Sequence, residues 1–371
     1  MAANWAGVRQ LVRSEWFLGV GAATIVVFDL FQDRLFAGLA NPLWLAVVFA
    51  WLFAVVLGSA VGVVRHAERL SERLGEPYGT LVLTLFITAI EVMSITAVML
   101  HGENNPTLMR DTLFSVVMIV LGGMVGVSLL LGALRHHEQY YNLQGANAYL
   151  GVIVPLAVFT LVLPNFTTTT PGPTLSGVQE FGLALMSIAL YATFLVLQTG
   201  RHRGYFTLGD EKEHHPSEAR EIRILPHTVL LLAYIVPVVF LVEQLAKPID
   251  YLVEILRAPA VLGGVTMAVL VATPEAIGAV RAALADHLQR SVNIFLGSVL
   301  ATIGLTVPAM LAVGRLTQHE LILGLEHTDL VLLILTLAVS VITFASGRTN
   351  LLQGAVHVLL FLAFVLLMFQ G

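Results

Sequence analysis

Stretches of about 20 apolar residues, the length a helix needs to cross roughly 30 Å of hydrocarbon at 1.5 Å per residue, recur along nearly the whole sequence. They fall at 16–36, 42–64, 80–100, 111–134, 147–164, 178–199, 227–246, 259–280, 291–313, 329–346 and 352–370. Backbone polar groups in hydrocarbon must be satisfied within the segment, so these windows are expected to be helices. Charged residues make up only 12% of the chain, against about 25% in an ordinary soluble domain. The sequence therefore predicts an all-α polytopic membrane protein of about 11 transmembrane helices, with the lipid bilayer as its solvent.

Arg9 and Arg13 precede the apolar run from Trp16 to Phe31, as in a signal peptide. No small-residue cleavage site leads into a soluble domain, so the run reads as a retained first span. The net charge of −5 and the lack of a long basic run argue against a nucleic-acid partner. The chain has 0 cysteines, which excludes disulfides, thiolate metal sites and cysteine nucleophiles.

The one long polar interruption, RHRGYFTLGDEKEHHPSEAREIRILPH at 200–226, divides the chain into halves. With the N-terminus inside, the inner segments hold Arg9, Arg13, Arg65, Arg69, Arg73, Arg135, Arg201, Arg203, Lys212, Arg220, Arg223, Arg281, Arg290 and Arg348. The outer segments hold Arg34, Arg110, Lys247, Arg257 and Arg315. That excess places the N-terminus in the cytoplasm and the C-terminus outside, with the 200–226 loop cytoplasmic.

Glu91 sits inside LFITAIEVMSITAVML at 85–100. A charge at the centre of a membrane helix costs about 2.5–3.5 kcal/mol even on insertion scales, so it calls for a partner or a wet pathway. The second half repeats the feature: Glu275 lies within AVLVATPEAIGAV at 268–280. Each glutamate is on the second helix of a group of five, and an odd number of helices makes equivalent members cross in opposite directions. This is the inverted-repeat architecture of secondary transporters, with a site near the midplane where the repeats meet. The expected divisions are an extra N-terminal helix at 1–41, a first five-helix repeat at 42–199, the loop at 200–226 and a second, inverted repeat at 227–371.

Two carboxylates with hydroxyls nearby suit a hard cation, which takes oxygen ligands from carboxylates, carbonyls and waters. Thr88 and Ser94 lie three residues to either side of Glu91 and share its helix face. Thr273 and Pro274 precede Glu275. Proline lacks an N–H and clashes with the carbonyl four residues back, so the helix is expected to break there and free the Leu270 carbonyl as a ligand. Asn293, Ser298 and Thr302 on the next helix could add oxygens. For the hydroxyls, bonding back to the helix or easing helix packing is an equal alternative. Protons and cations compete for carboxylate oxygens, so the pair could carry either one divalent cation or two protons.

The remaining polar features point to nothing catalytic. Most of the 12 histidines fall in turns, as at His136–His137 and His214–His215, and read as a solvated surface. HEQYY at 137–141 lacks the second histidine of the zinc-protease motif, and LGD at 208–210 falls in the polar loop rather than in a span. Gly122–Gly123 and Gly263–Gly264 suit close helix contact. The chain is read as a transporter and not an enzyme, without a cofactor, and its assembly as a homo-oligomer is left open.

The segments GTLVLTLFITAIEVMSITAVMLHGENNPTLMRDTLFSVVMI, LRHHEQYYNLQGANAYL, LVLPNF and VATPEAIGAVRAALADHLQRSVNIFLGSVLATIGLTVPA resemble the ChaA-type branch of the bacterial calcium/proton antiporters, within the cation/calcium exchanger superfamily. The resemblance covers about 65–315 closely, and the last two helices fit by position. It implies a bacterial inner-membrane antiporter that expels Ca2+, and in this branch Na+ and K+ as well, in return for H+. The signature glutamates of the family match Glu91 and Glu275. Where relatives carry Gly-Asn-Ala-Thr-Glu or Gly-Asn-Ala-Ala-Glu, this chain reads ITAIE and ATPE, so Thr88 and Ala272 stand at the asparagine positions. Relatives often have a markedly acidic helix in the central loop. Here Asp210, Glu211, Glu213, Glu218 and Glu221 are balanced by Arg201, Arg203, Lys212, Arg220 and Arg223, so no strong calcium-sensing role is expected there. Calcium/proton exchange is the first expectation and sodium or potassium/proton exchange the alternative. A cation channel, which would more naturally ring its acids from several subunits, is the reading from a different class.

Overall fold

The structure, a computed structural model, describes residues 15–74, 78–101, 105–208 and 224–369, without the side chains of 72, 74, 78–83 and 101. Arg9, Arg13, most of the HGEN turn and the charged residues of the central loop from Asp210 to Arg223 lie outside the described residues.

Helices follow the apolar windows closely. They are α1 Trp16–Ala37, α2 Pro42–Leu74, α3 Tyr78–His101, α4 Leu108–His136, α5 Leu143–Phe166, α6 Gly177–Thr199, α7 Ile224–Ile255, α8 Val261–Leu284, α9 Leu288–Thr317, α10 His327–Thr343 and α11 Leu351–Met368. Among the described residues, 9 helices are long and apolar enough to cross a membrane, and two shorter apolar helices, Thr84–Leu100 and His327–Thr343, fall in the remaining windows. The only strands among them, β1 Gln139–Tyr140 and β2 Arg348–Thr349, form one short antiparallel ribbon. The chain is thus an all-α polytopic membrane protein.

Start signals are set by local chemistry where the chain turns. Ser176 with Gln179 opens α6 and Asn350 with Gln353 opens α11, each as a reciprocal capping box. The side chain of Asn142 accepts from the Gln144 amide at the start of α5.

The helices form two compact units, each drawing on both halves of the chain. One contains α1, α2, α3 and α7. Within it α2 and α7 make the most extensive pairing, with α3 and α1 each packed on both. The Trp51 indole donates to Thr24 Oγ1 at 3.3 Å and meets Phe28 edge-on, which fixes α1 to α2.

The other unit contains α4, α5, α6 and α8 to α11. In α4 and in α9, 78% of the apolar window is buried, against 22% in α6 and in α11, so α4 and α9 form the centre of this unit. Small residues bring backbones together: a Cβ on Gly264 of α8 would fall 2.6 Å from the Thr112 amide of α4, and one on Gly126 would meet the Val358 amide of α11 at 2.7 Å.

Wide π turns interrupt α4 at Met118–Met124, α5 at Val158–Val162 and α9 at Thr302–Thr306, and another ends α7 at Tyr251–Ile255. Hydropathy carries no trace of them. Such turns upset the regular i→i−4 ladder, and the carbonyls they free need other partners in hydrocarbon. At the first of them, fully buried His357 bonds through Nδ1 to the Leu121 carbonyl at 2.6 Å, and its Nε2 meets Thr343 Oγ1 at 3.0 Å. A carbonyl can only accept, so Nδ1 carries the hydrogen and Nε2 accepts from the threonine. His357, and His66 at 3% exposure, depart from the expected pattern of surface histidines.

Candidate functional site

Glu91 lies midway along α3 and is 1% exposed. Thr88, Ser94, Ile95 and Val98 are buried with it, so the three-residue spacing places both hydroxyls and the carboxyl on the covered stripe of this helix. That stripe belongs to the unit in which α3 packs on α2 and α7. The Thr88 hydroxyl oxygen is buried and has no hydrogen-bond partner among the described residues. A helical threonine normally disposes of its hydroxyl by bonding back one turn, as Thr112 does to the Leu108 carbonyl at 2.7 Å. Thr88 does not, which leaves an oxygen with lone pairs to offer one turn from a carboxylate.

Glu275 lies in the other unit, on α8, and is half-buried. The expected break at Pro274 is not found: α8 runs as one helix through the proline. Packing against α4 and α9 carries the helix across a residue that removes one hydrogen bond. The Leu270 carbonyl still lacks its amide partner, because proline has none to give. Thr273 donates from Oγ1 to the Val269 carbonyl at 2.6 Å, so its hydroxyl is engaged in its own helix.

Ser298 and Thr302, both buried, lie on α9, which packs on α8. Ser291 Oγ donates across to the Ala279 carbonyl at 2.9 Å, fixing the two helices one turn beyond Glu275. Thr302 opens the π turn Thr302–Thr306, where carbonyls are again out of regular register. Asn293 is placed differently. Its amide donates to the Phe206 carbonyl at 2.8 Å and its oxygen accepts from Gln289 Nε2 at 2.9 Å, so it anchors the start of the central loop. Phe206 is itself buried against Tyr149 and Phe194.

One buried charged group went unrecognised as such in the sequence. Arg110 and Asp111 are 8% and 2% exposed, joined by Arg110 Nε donating to Asp111 Oδ1 at 2.8 Å. Thr107 Oγ1 donates to Asp111 Oδ2 at 2.8 Å, and the Arg110 guanidinium donates to the Gly324 carbonyl at 3.2 Å. Charges at the end of an apolar window ordinarily read as solvated, and the adjacency of an arginine and an aspartate before FSVVMIVLGG was the one available signal. Among the described residues no three or more His, Asp or Glu side chains gather as a metal would require.

The sequence profile of the family described as sodium/calcium exchanger protein matches residues 44–200 and 226–370. A putative ionic transporter of Sinorhizobium fredii, y4hA, is 43% identical over 313 residues, 84% of this chain and 85% of that protein. The sodium-potassium/proton antiporter ChaA of Escherichia coli is 40% identical over 319 residues, 85% of this chain and 86% of that protein. Among solved structures, native YfkE superposes with a TM-score of 0.74 at 19% identity, covering 96% of this chain and 99% of that one, a likeness of fold.

Proposed function

The chain belongs to the sodium/calcium exchanger protein family, whose members are secondary transporters and not enzymes, and from that premise we propose that it exchanges cytoplasmic Ca2+ for H+ across a bacterial inner membrane, with Glu91 and Glu275 as the shared cation and proton sites. The observation that carries this reading is the buried stripe of α3, where the unsatisfied Thr88 oxygen lies one turn from the Glu91 carboxyl. An oxygen buried without a donor or acceptor is costly unless something completes it, and a hard cation does so. Glu275 is the second carboxylate of this reading, with the Leu270 carbonyl of its own helix and Ser298 and Thr302 of the packed α9 as its candidate companions. The match of one family profile to residues 44–200 and 226–370 supports reading the halves as repeats, inverted because each holds five helices.

Exchange follows from charge. With both carboxylates ionised the pair neutralises one divalent cation, and two protons can take its place. The excess of Lys and Arg in alternate segments supports a cytoplasmic N-terminus and an outer C-terminus. A second reading, Na+ or K+ in place of Ca2+, is favoured by the 40% identity to a sodium-potassium/proton antiporter and by threonine and alanine at 88 and 272.

Reconstituted vesicles holding a pH gradient test both. Addition of Ca2+, Na+ or K+ should dissipate the gradient in the native protein, and the ion that does so at the lowest concentration is the substrate. A gradient untouched by all three would overturn the antiporter reading, and passage of cations without proton movement would indicate a channel.

A further inference from the structure

Three helices of the first unit meet around a chain of titratable side chains that the exchange site does not use. His66, near the end of α2, places its Nδ1 3.0 Å from Nδ1 of His227 in the first turn of α7. Its Nε2 lies 3.3 Å from Glu15 Oε2, at the N-cap of α1. The same carboxylate oxygen accepts from the Tyr234 hydroxyl of α7 at 3.0 Å and from the Arg65 guanidinium, which also stands 6.0 Å from the Tyr234 ring. One acidic oxygen therefore joins α1, α2 and α7, and a pair of imidazoles joins α2 to α7 a second time.

The imidazole pair counts protons. Two ring nitrogens bond only if one carries a hydrogen and the other a lone pair. With both rings neutral, His66 donates from Nε2 to Glu15, and its Nδ1 accepts from His227. With one added proton the bond survives, donated by whichever ring is the imidazolium. With two, both Nδ1 atoms carry hydrogens and neither can accept. Two imidazoliums would then face each other beside Arg65, with a single carboxylate to offset three positive charges.

We propose that His66 and His227 form a proton-operated latch between α2 and α7, closed while the two rings share at most one added proton and opened by the second, so that acid on the side of the membrane facing the start of α1 frees these helix ends. Imidazole is the side chain that most readily changes charge near neutral pH, and a facing pair takes up its second proton only in more acid solution than its first. Glu15 does not titrate in that range. Burial pushes its carboxyl up, but the Tyr234 hydroxyl, Arg65 and His66 together outweigh this and hold it below the usual value. The charged groups acting on His66 are Glu15 from α1, Arg65 from α2 and His227 from α7, with Tyr234 of α7 bonded to Glu15, while Glu68 and Arg69 follow on α2. The described side chains of α3, the other helix packed on α2 and α7, include a single titratable group, Glu91. The consequence for transport rests on the exchanger reading: a tie between α2 and α7 stabilises one arrangement of the unit, and its loss shifts the population away from that arrangement.

Hydrogen exchange by mass spectrometry on the purified full chain, corrected for intrinsic rates from about pH 8 to 5.5, measures the latch without recourse to transport. The ends of α2 and α7 should lose protection by about tenfold on acidification, the equivalent of one hydrogen bond to a charged group. In His227→Gln the amide can donate or accept, so the link to His66 persists and protection should stay high throughout. In His227→Ala it should stay low throughout. His66→Gln supplies the same pH-insensitive test from α2 should the α7 variants fold poorly. Unchanged protection in the native chain, or the native pH response retained in the Gln variants, would overturn the latch. Vesicle transport with pH varied on that one side should follow the same pattern, and a chain that shows the exchange signature but no transport would refute the antiporter reading while leaving the latch intact.

Discussion

Arg110 Nε donates to Asp111 Oδ1 at 2.8 Å while both side chains are almost wholly withdrawn from solvent in α4. The pair is completed by Thr107 and by the Gly324 carbonyl, and the exposed Glu326 carboxylate stands 4.0 Å from the guanidinium, so removing Asp111 leaves Arg110 without its close buried partner. Asp111→Ala should destabilise the folded protein by about 3–5 kcal/mol, the usual cost of an uncompensated buried charge. Arg110→Met with Asp111→Leu should recover much of that loss. Thermal unfolding in detergent checks both, and a single variant as stable as the native chain would show that the pair is solvated in the membrane.

His357 supports the first π turn. His357→Phe keeps the bulk but leaves the Leu121 carbonyl and the Thr343 hydroxyl without their partner, at a cost of about 1–3 kcal/mol. The same unfolding measurement should show a lower midpoint. An unchanged midpoint would mean that other groups satisfy the turn.

The two threonines beside the glutamates should behave differently. Thr88→Val removes a buried oxygen that has no hydrogen-bond partner among the described residues, and cation affinity should fall by about tenfold, the worth of one polar contact. Thr273→Val removes a hydroxyl already bonded to the Val269 carbonyl and should leave affinity unchanged. Equal effects in a titration of cation binding would refute the assignment of Thr88 as a ligand.

Pro274→Ala supplies an amide to the Leu270 carbonyl within a helix that is already continuous. The variant should be at least as stable as the native chain, by up to about 3 kcal/mol. If that carbonyl binds the ion, affinity should drop at the same time. Greater stability with native affinity would assign the proline to helix shape alone.

Much of the architecture was legible because hydrocarbon is a strict solvent: each apolar window became a helix, with ends near the polar residues that bound it. Other features depend on contacts between distant residues. The π turns leave no mark on hydropathy, and Pro274 bends no rule of the sequence while packing overrides its tendency to end a helix. Thr88 and Ser94 were found on the buried face of α3 because spacing alone sets a helix face. Asn293 had the right chemistry for a ligand, yet it is held by the Phe206 carbonyl of a segment 87 residues away. The same limit hid the imidazole pair, whose members are 161 residues apart. His66 at the edge of an apolar window was the only hint.

The central claim is that Glu91 and Glu275 hold protons and cation by turns, and proton release on cation binding measures it most directly. Purified protein in weakly buffered detergent, titrated with Ca2+ or Na+ while pH is followed, should release up to about two protons per divalent ion and about one per monovalent ion, the limits set by competition for two carboxylates. Glu91→Gln and Glu275→Gln, which keep the shape and lose the charge, should each diminish that release and abolish exchange. Native proton release in Glu275→Gln, or cation affinity that stays flat from about pH 6 to 9, would contradict the account.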